Sequence, residues 1–219
     1  MKVAVVGGTG DLGFGLVLRL AKAGIAVAIG SRSAERAAQA AERVSHVIGA
    51  AEVSGSVNRE SVKGCDVAFF TIPFEAIAEI ADDVAPAFGQ GCIAVSCIVS
   101  PSDIGTSSAE LLASHLPKPA KVVAALHTVS ASLMQDLDRP VEADTFIFGD
   151  NIEDKKTIAK LLRIVEGLRP VDGGGLRDSR FGETFTRFLI GVNKRYGLNH
   201  AGFRVTGLRD EVVWRRWGF

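Results

Sequence analysis

Apolar runs and helical repeats alternate along most of the chain. Residues 3–6 form a continuous apolar run, which is typical of a central parallel strand covered on both faces. Leu12, Leu16 and Leu20 then repeat at helical spacing, and Gly24 marks the end of that helix. Further strands are predicted at 25–29, 51–57, 65–72, 92–99, 122–129 and 146–148, and further helices at 34–44, 74–88, 107–116 and 152–168. This alternation predicts an α/β fold with a doubly wound, mostly parallel sheet.

The last third of the chain has a different pattern. After Gly173-Gly174-Gly175, a helix is predicted over about 179–196, and its apolar face carries Phe181, Phe185, Phe188, Leu189, Val192 and Tyr196. Packing in the core is the favoured interpretation of this face, and a flat wall beside a ring-shaped cofactor is the alternative. The same helix makes a homodimer plausible. The tail, with Trp214 and Trp217, could dock on the body or on another subunit.

Composition argues against nucleic-acid-binding, membrane-spanning and disulfide-rich classes of protein. The 219 residues carry 25 basic and 25 acidic side chains, so no basic excess indicates a nucleic-acid partner. No apolar run approaches the roughly 20 residues that cross a bilayer, and we expect a soluble, cytoplasmic protein without a membrane partner. The odd count of three cysteines argues against a disulfide framework, and we interpret them as small buried residues. No spacing typical of a metal site is present.

The strongest motif is the glycine-rich run Gly8-Thr9-Gly10-Asp11-Leu12-Gly13. It follows an apolar strand and opens a helix, which is the context that a Rossmann-type dinucleotide site requires. The glycines permit a tight turn and close approach of the backbone to a pyrophosphate, which the helix N-terminus attracts. We therefore predict a dinucleotide-binding domain over 1–175 and a C-terminal helix and tail over 176–219 that completes the substrate pocket.

The end of the second strand distinguishes between the two nicotinamide dinucleotides. NAD sites usually place a carboxylate there to accept a hydrogen bond from the ribose 2′-hydroxyl. This chain has Ser31 and Arg32 instead, with Arg36 one helical turn further on. Since guanidinium groups pair well with phosphate, we predict NADP. The alternative is that both arginines are ordinary solvated charges.

Residues at other strand ends are expected to line the cofactor. Ligands of open α/β sheets bind beyond the carboxyl ends of the strands. Thr71 and Ile72 end the predicted fourth strand, and Phe74 begins the next helix beside it. The same reasoning places Ile98 and Val99 close to the nicotinamide.

His127 is the histidine whose predicted position, at the end of the sixth strand, suits catalysis. A structural hydrogen bond is the alternative role. Other acid–base machinery is missing from the sequence, which has no Ser-Tyr-Lys arrangement and no nucleophile elbow. This scarcity suits hydride transfer between two bound rings, a step that depends chiefly on geometry.

The ordered set of motifs strongly resembles the NADPH-dependent reductases of the deazaflavin coenzyme F420, over nearly the whole chain. The residues that carry the resemblance are Val3 to Gly13, Gly30-Ser31-Arg32, Thr71-Ile72-Pro73, Ala125-Leu126-His127-Thr128, Gly167 to Asp172 and Ser179-Arg180. The resemblance implies NADP and coenzyme F420 as cofactor and co-substrate, with hydride transfer between them.

The resemblance also implies roles for individual residues. The nucleotide-binding positions fall on Thr9, Gly10, Asp11, Leu12, Ser31, Arg32 and Arg36. The positions on the deazaflavin side fall on His127, Val129, Ala131, Thr184 and Thr186, of which His127 and the two threonines are the catalytic candidates.

Departures from the family pattern leave other functions open. The segment 100–108 is short, and Ser130 stands where the family commonly has proline. An NADPH-dependent reductase of a flavin, a quinone or a small carbonyl compound is therefore an alternative. A non-catalytic NADP sensor that docks through its Trp214–Trp217 tail is another.

Overall fold

The protein contains one eight-stranded sheet, seen in a computed structural model that describes residues 1–102 and 105–219. The strands are β1 (Lys2–Val6), β2 (Ala26–Ser31), β3 (Val53–Val57), β4 (Val67–Phe70), β5 (Ile93–Ser96), β6 (Lys121–Ala124), β7 (Ala143–Phe148) and β8 (Leu168–Gly174). Their order across the sheet is β3-β2-β1-β4-β5-β6-β7-β8. All neighbours pair in parallel except β6 and β7. The predicted doubly wound, mostly parallel sheet is confirmed.

Helices connect the strands and cover both faces of the sheet. They are α1 (Asp11–Lys22), α2 (Ala34–Ile48), α3 (Asn58–Ser61), α4 (Ile77–Val84), α5 (Ser108–His115), α6 (Ala131–Gln135), α7 (Ile152–Leu162), α8 (Ser179–Tyr196) and α9 (Asp210–Trp217). Short 3-10 turns lie at Phe74–Ala76, Ala85–Ala87 and Leu176–Asp178. Over residues 1–102 and 105–219, no helix combines the length and the apolar character that a membrane crossing requires.

The central strand β1 contributes to two separate cores. Val3 and Val5 pack into the core beneath α1 and α2, whereas Ala4 and Val6 pack into the core beneath α4 and α5. All four are completely buried. Because successive side chains of a strand point to opposite faces, a strand covered on both sides must be apolar throughout. The continuous apolar run in the sequence has this cause.

Several predicted elements end earlier than expected, and the two largest differences follow β6 and α7. The strand predicted over 122–129 stops at Ala124, because the chain leaves the extended conformation and Leu126 takes a φ of 67°. His127 therefore lies in the loop beyond β6. The helix predicted over 152–168 stops at Leu162, and Gly167, with a φ of 77°, turns the chain into β8. An edge strand tolerates Pro170 because only one side of it is paired.

The apolar face of α8 is largely unburied, so the prediction that it packs in the core is wrong for most of its residues. Leu189 is buried, and Phe185 stacks on Phe203 with ring centres 4.8 Å apart. Phe188 and Tyr196, by contrast, are 58% and 74% exposed. The helix lies at the rim of the sheet, so only part of its circumference meets the body.

The C-terminal tail docks on the body of its own chain. Trp217, on α9, is 1% exposed and donates a hydrogen bond from Nε1 to the carbonyl oxygen of Pro170 on β8, at 2.8 Å. The guanidinium of Arg163 lies over the rings of Trp214 and Phe219, at 4.7 and 5.3 Å. Trp217 is therefore unavailable to a partner, which removes the main support for a sensor that docks through this tail.

The three cysteines are buried, as expected. Cys92 and Cys97 belong to the cores on opposite faces of the sheet. Cys65 and Cys92, which precede the adjacent strands β4 and β5, have their sulfur atoms 3.1 Å apart. That contact joins residues far apart in sequence, so sequence spacing did not indicate it.

An ion pair holds the far edge of the sheet to the C-terminal segment. The Arg169 guanidinium donates to both carboxylate oxygens of Asp144, at 2.7 and 2.9 Å, and Asp144 is fully buried. These hydrogen bonds raise the pKa of Arg169 above its ordinary value. Arg169 also bonds the Leu208 carbonyl oxygen and the exposed carboxylate of Asp210. One buried cation thus links β7, β8 and the approach to α9.

We expect Asp144→Asn to destabilise the protein by about 3–5 kcal/mol, because it leaves the buried guanidinium of Arg169 without its only buried carboxylate partner among the described residues. Asp210→Asn is the matched control: its side chain is 54% exposed, so its loss should cost less than about 1 kcal/mol. Urea denaturation of both variants measures the free energy of unfolding. Equal losses in the two variants would contradict the assigned importance of the buried pair.

Candidate active site

Two cavities open near the carboxyl ends of the strands. The first, called the strand-end cavity, has a volume of about 500 Å³. It is lined by Gly7, Thr9, Gly10, Leu12, Ser31, Arg32, Arg36, Asn58, Thr71, Ile72, Pro73, Phe74, Ala76, Ile80, Cys97 and Val99. The structure thus brings together, at one edge of the sheet, residues that the sequence analysis selected from four separate motifs.

The glycine-rich turn forms the floor of the strand-end cavity. Gly7 adopts a φ of 75°, which other residues rarely accept. A Cβ on Gly13 would lie 2.5 Å from Thr71 Oγ1 and 2.8 Å from Gly8 Cα, so a side chain there would push α1 away from the strands. Gly8 and Gly13 are buried behind the cavity wall and act through this close packing.

The N-terminus of α1 is free to receive an anion. Gly10 occupies the cap position, and among the described residues no side chain caps this terminus. The first N–H groups of a helix have no acceptor within the helix, and they carry the positive end of its dipole. A pyrophosphate placed on this turn would satisfy them.

Two unpaired cations stand at the end of β2. Arg32 and Arg36 are exposed, and in the described part of the chain neither forms an ion pair with a carboxylate. Ser31, which ends β2, is buried and lines the same cavity. This donor set fits a phosphate ester better than a neutral ribose.

Asn58 is a residue of this cavity that the sequence analysis missed. It begins the four-residue helix α3, is 4% exposed, and accepts a hydrogen bond from the Gly7 N–H at 3.3 Å. The contact supports the turn from the side of β3. Nothing in the local sequence distinguishes this asparagine from a surface residue.

The second cavity lies between α8 and the loop that follows β6, and it is called the α8 cavity. Its volume is about 620 Å³. It is lined by Asp11, His127, Thr128, Val129, Ser130, Ala131, Ser132, Gln135, Thr186, Leu189, Ile190, Asn193, Asn199 and Ala201. Asp11 belongs to this wall, whereas Gly10 and Leu12 line the strand-end cavity. The first turn of α1 therefore separates the two cavities.

His127 is a buried member of the α8 cavity wall. It is 5% exposed, its Nε2 lies 3.1 Å from the carbonyl oxygen of Ile98, and its Nδ1 has no partner among the described residues. Burial lowers the pKa of the ring, an effect that the negative charge of Glu183 and the bond to Ile98 oppose. A neutral ring that donates through Nε2 fits this environment. His127 thus has the structural bond that the sequence analysis held as an alternative.

The two predicted threonines occupy different environments. Thr186 lines the α8 cavity, and its hydroxyl contacts the carbonyl oxygen of His127 at 2.6 Å. Thr184 is exposed and lies outside both cavity walls, with its hydroxyl donating to the carbonyl oxygen of Arg180 at 3.0 Å.

Ile98 and Val99, which were both predicted to lie close to the nicotinamide, also occupy different environments. Val99 lines the strand-end cavity, whereas Ile98 is 1% exposed and packs beneath it. The backbone of Ile98 nevertheless connects the cavities, because its carbonyl oxygen is the partner of His127.

Polar residues of α8 and of the neighbouring loops complete the α8 cavity, and of these Ser132, Asn193 and Asn199 were missed in the sequence. The hydroxyls of Ser130 and Ser132 both lie within hydrogen-bond distance of the Asn199 carbonyl oxygen, at 3.1 and 2.9 Å. Asn193 accepts from the Ala201 N–H at 3.0 Å. Of the described residues in this wall, only Asp11 and His127 have an acidic or basic side chain. The cavity can hold and orient a polar ring but offers little acid–base chemistry.

Known proteins resemble this chain along nearly its whole length. Residues 2–100 match the family described as NADP oxidoreductase coenzyme F420-dependent. A protein of Methanothermobacter thermautotrophicus named F420-dependent NADP reductase is 35% identical over 225 residues, which cover 96% of this chain and 97% of that protein. A protein of the same name from Methanocaldococcus jannaschii is 34% identical and covers 95% of this chain and 99% of its own.

A solved structure supports the fold alone. A protein of Arthrobacter sp. FB24 aligns with a TM-score of 0.76 at 24% identity, over 94% of this chain and 99% of its own. The near-full-length identity to the two named reductases goes further than this shared architecture. By that identity, the chain belongs to the family of F420-dependent NADP reductases.

Proposed function

We propose that this protein transfers a hydride between NADPH and the deazaflavin coenzyme F420. The observation that carries the proposal is the pair of cavities on either side of the first turn of α1, in a chain about 35% identical to named F420-dependent NADP reductases. A hydride moves from one ring to the other, and the reduced deazaflavin takes up a proton that solvent can supply. The protein needs chiefly to hold two rings in contact.

NADP occupies the strand-end cavity in this proposal. Ser31, Arg32 and Arg36 hold the 2′-phosphate, and the backbone from Thr9 to Leu12 holds the pyrophosphate. Thr71, Ile72, Phe74 and Val99 surround the path toward the nicotinamide. The unpaired guanidiniums support this orientation, because they offer donors that no carboxylate of the described chain occupies.

The deazaflavin occupies the α8 cavity. Val129, Ala131 and Leu189 supply apolar surface, while Thr186 and His127 supply polar groups. Neutral His127 fixes the Ile98 carbonyl group, and the proposal assigns it no proton transfer. The C-terminal segment 176–219 thus provides one wall of the acceptor site through α8.

We also propose that a second copy of the chain covers the exposed apolar face of α8. Phe181, Phe188 and Tyr196 are 50%, 58% and 74% exposed. Exposure of so much apolar surface to water is unfavourable, and a contact with a second copy would bury it.

The preference for NADPH over NADH should depend on the two arginines. We expect Arg32→Ala or Arg36→Ala to weaken NADPH binding by roughly 10- to 100-fold each, because a hydrogen bond to a charged group contributes about 1.5–3 kcal/mol. NADH binding should change little, since NADH lacks the 2′-phosphate. Titration of nicotinamide fluorescence measures both affinities. Arg209→Ala, an exposed arginine outside both cavities, is the control, and an equal loss for NADH would contradict the assignment.

The acceptor should be the deazaflavin. Mixing protein, NADPH and oxidised coenzyme F420 should remove the absorbance of the oxidised deazaflavin, and FMN, quinones and small carbonyl compounds should react far more slowly. Ala131→Leu places a larger side chain in the wall of the α8 cavity, where it should hinder the deazaflavin, so the KM for deazaflavin should rise about 10- to 100-fold with unchanged NADPH affinity. Rapid turnover of flavins without turnover of deazaflavin would refute the proposal.

Sedimentation equilibrium tests whether two copies of the chain associate through α8. The wild-type protein should sediment as a dimer, and Phe188→Glu should shift it toward monomer because it places a charge in the apolar contact. Val47→Glu, a position 59% exposed on α2, is the matched control and should leave the mass unchanged. A monomeric wild-type protein at micromolar concentration would exclude this assembly.

A further inference from the structure

Glu183 is a buried carboxylate that the proposed reaction does not use. It lies on α8 and is 2% exposed. Its oxygens accept three hydrogen bonds: one from the Ser100 N–H at 2.8 Å, one from the Ser108 N–H at 2.8 Å, and one from the Ser108 hydroxyl at 2.9 Å. One side chain therefore holds the chain on both sides of the segment between Ser100 and Ser108.

No cation compensates this carboxylate in the described part of the chain. None of the ion pairs between described residues includes Glu183. Instead it receives two backbone N–H groups and lies at the first residue of α5, where the helix dipole favours negative charge. Burial of a charged group is costly unless hydrogen bonds compensate it, so the three donors must stay in place.

The beginning of α5 has its own cap besides Glu183. Ser107 and Glu110 form a reciprocal capping box, in which the Ser107 hydroxyl accepts from the Glu110 N–H and Glu110 accepts from the Ser107 N–H. The box leaves the buried Ser108 N–H to Glu183. Because Glu183 also accepts from the Ser100 N–H, it attaches both α5 and Ser100 to α8.

The attached loop reaches both cavities. Ser100 follows Val99, a wall residue of the strand-end cavity, and Ile98, whose carbonyl oxygen contacts His127 of the α8 cavity. Arg187, one turn after Glu183 on α8, donates to the Ser100 carbonyl oxygen at 2.9 Å. The stretch 98–100 is thus held by three side chains, all from α8 or from the loop packed against it.

We propose that Glu183 is a positioning residue for hydride transfer: by tying Ser100 and Ser108 to α8, it fixes Val99 against the nicotinamide end and so sets the distance between the two reacting rings. The proposal rests on the function proposed above. Reactions of this kind depend steeply on geometry, and a displacement of about 1 Å can cost about 100-fold in rate. Glu183 itself touches neither ring.

Glu183→Gln tests this role, because it keeps the shape of the side chain but turns an NH₂ group toward N–H donors. We expect kcat to fall about 100-fold. The affinity for 2′,5′-ADP, which lacks the nicotinamide, should remain within about twofold, since Arg32 and Arg36 hold that fragment. Ser108→Ala, which removes one of the three bonds, should give an intermediate fall in kcat.

Ser107→Ala is the matched control. It weakens the capping box of α5 but leaves every hydrogen bond of Glu183 in place. Its Tm should fall while kcat stays close to the wild-type value. If Ser107→Ala lowers kcat as much as Glu183→Gln at a similar Tm, or if Glu183→Gln also loses 2′,5′-ADP, Glu183 is merely structural and the proposal is wrong.

A measurement without any acceptor separates this proposal from the proposed function. The fluorescence anisotropy of bound NADPH reports the mobility of its nicotinamide, and it should be lower in Glu183→Gln than in the wild-type protein. Unchanged anisotropy together with unchanged kcat would overturn the positioning role. Failure of the wild-type protein to reduce deazaflavin would instead overturn the proposed acceptor, while the anisotropy comparison would still decide the role of Glu183.

Discussion

The close packing of the glycine turn against the strand ends is the contact on which the rest of the site depends. Gly13 can approach Gly8 and Thr71 because it has no side chain, and this approach seats α1 directly on the sheet. The first turn of α1 then presents Gly10 and Leu12 to one cavity and Asp11 to the other. A larger residue at 13 would displace the wall that the two cavities share, so the shape of both cavities depends on this contact.

Helix α8 fixes the site from the side opposite the glycine turn. Glu183, Thr186 and Arg187 bond successively to the loops that follow β5 and β6, and those loops carry Val99 and His127. The helix follows β8 in the chain, and its Gly182 packs against His127 in the loop beyond β6. The site is therefore built between an early glycine turn and a late helix, with the sheet as the common support.

The sequence predicted most of the architecture because its signals are local. A continuous apolar run indicates a strand covered on both faces, and helical repeats ending at glycine indicate the crossovers between strands. The errors fall where local signals are ambiguous. The apolar residues 122–129 were interpreted as one strand, but the left-handed conformation at Leu126 ends it early. The edge strand β8, which contains Pro170, was not predicted. The apolar face of α8 was read as core, although Phe188 remains exposed.

By itself, the sequence determined the fold class, the glycine turn and the cationic residues at the end of β2, because each depends on neighbours close in the chain. Only the tertiary structure decided which residues share a wall. Asn58, Glu183 and Asn199 gained their places through contacts across 51, 83 and 69 positions of the chain, respectively. The tertiary structure also made His127 a buried hydrogen-bond partner of Ile98 and lowered the pKa of its ring, since burial and partners are set by packing and leave no trace in local spacing.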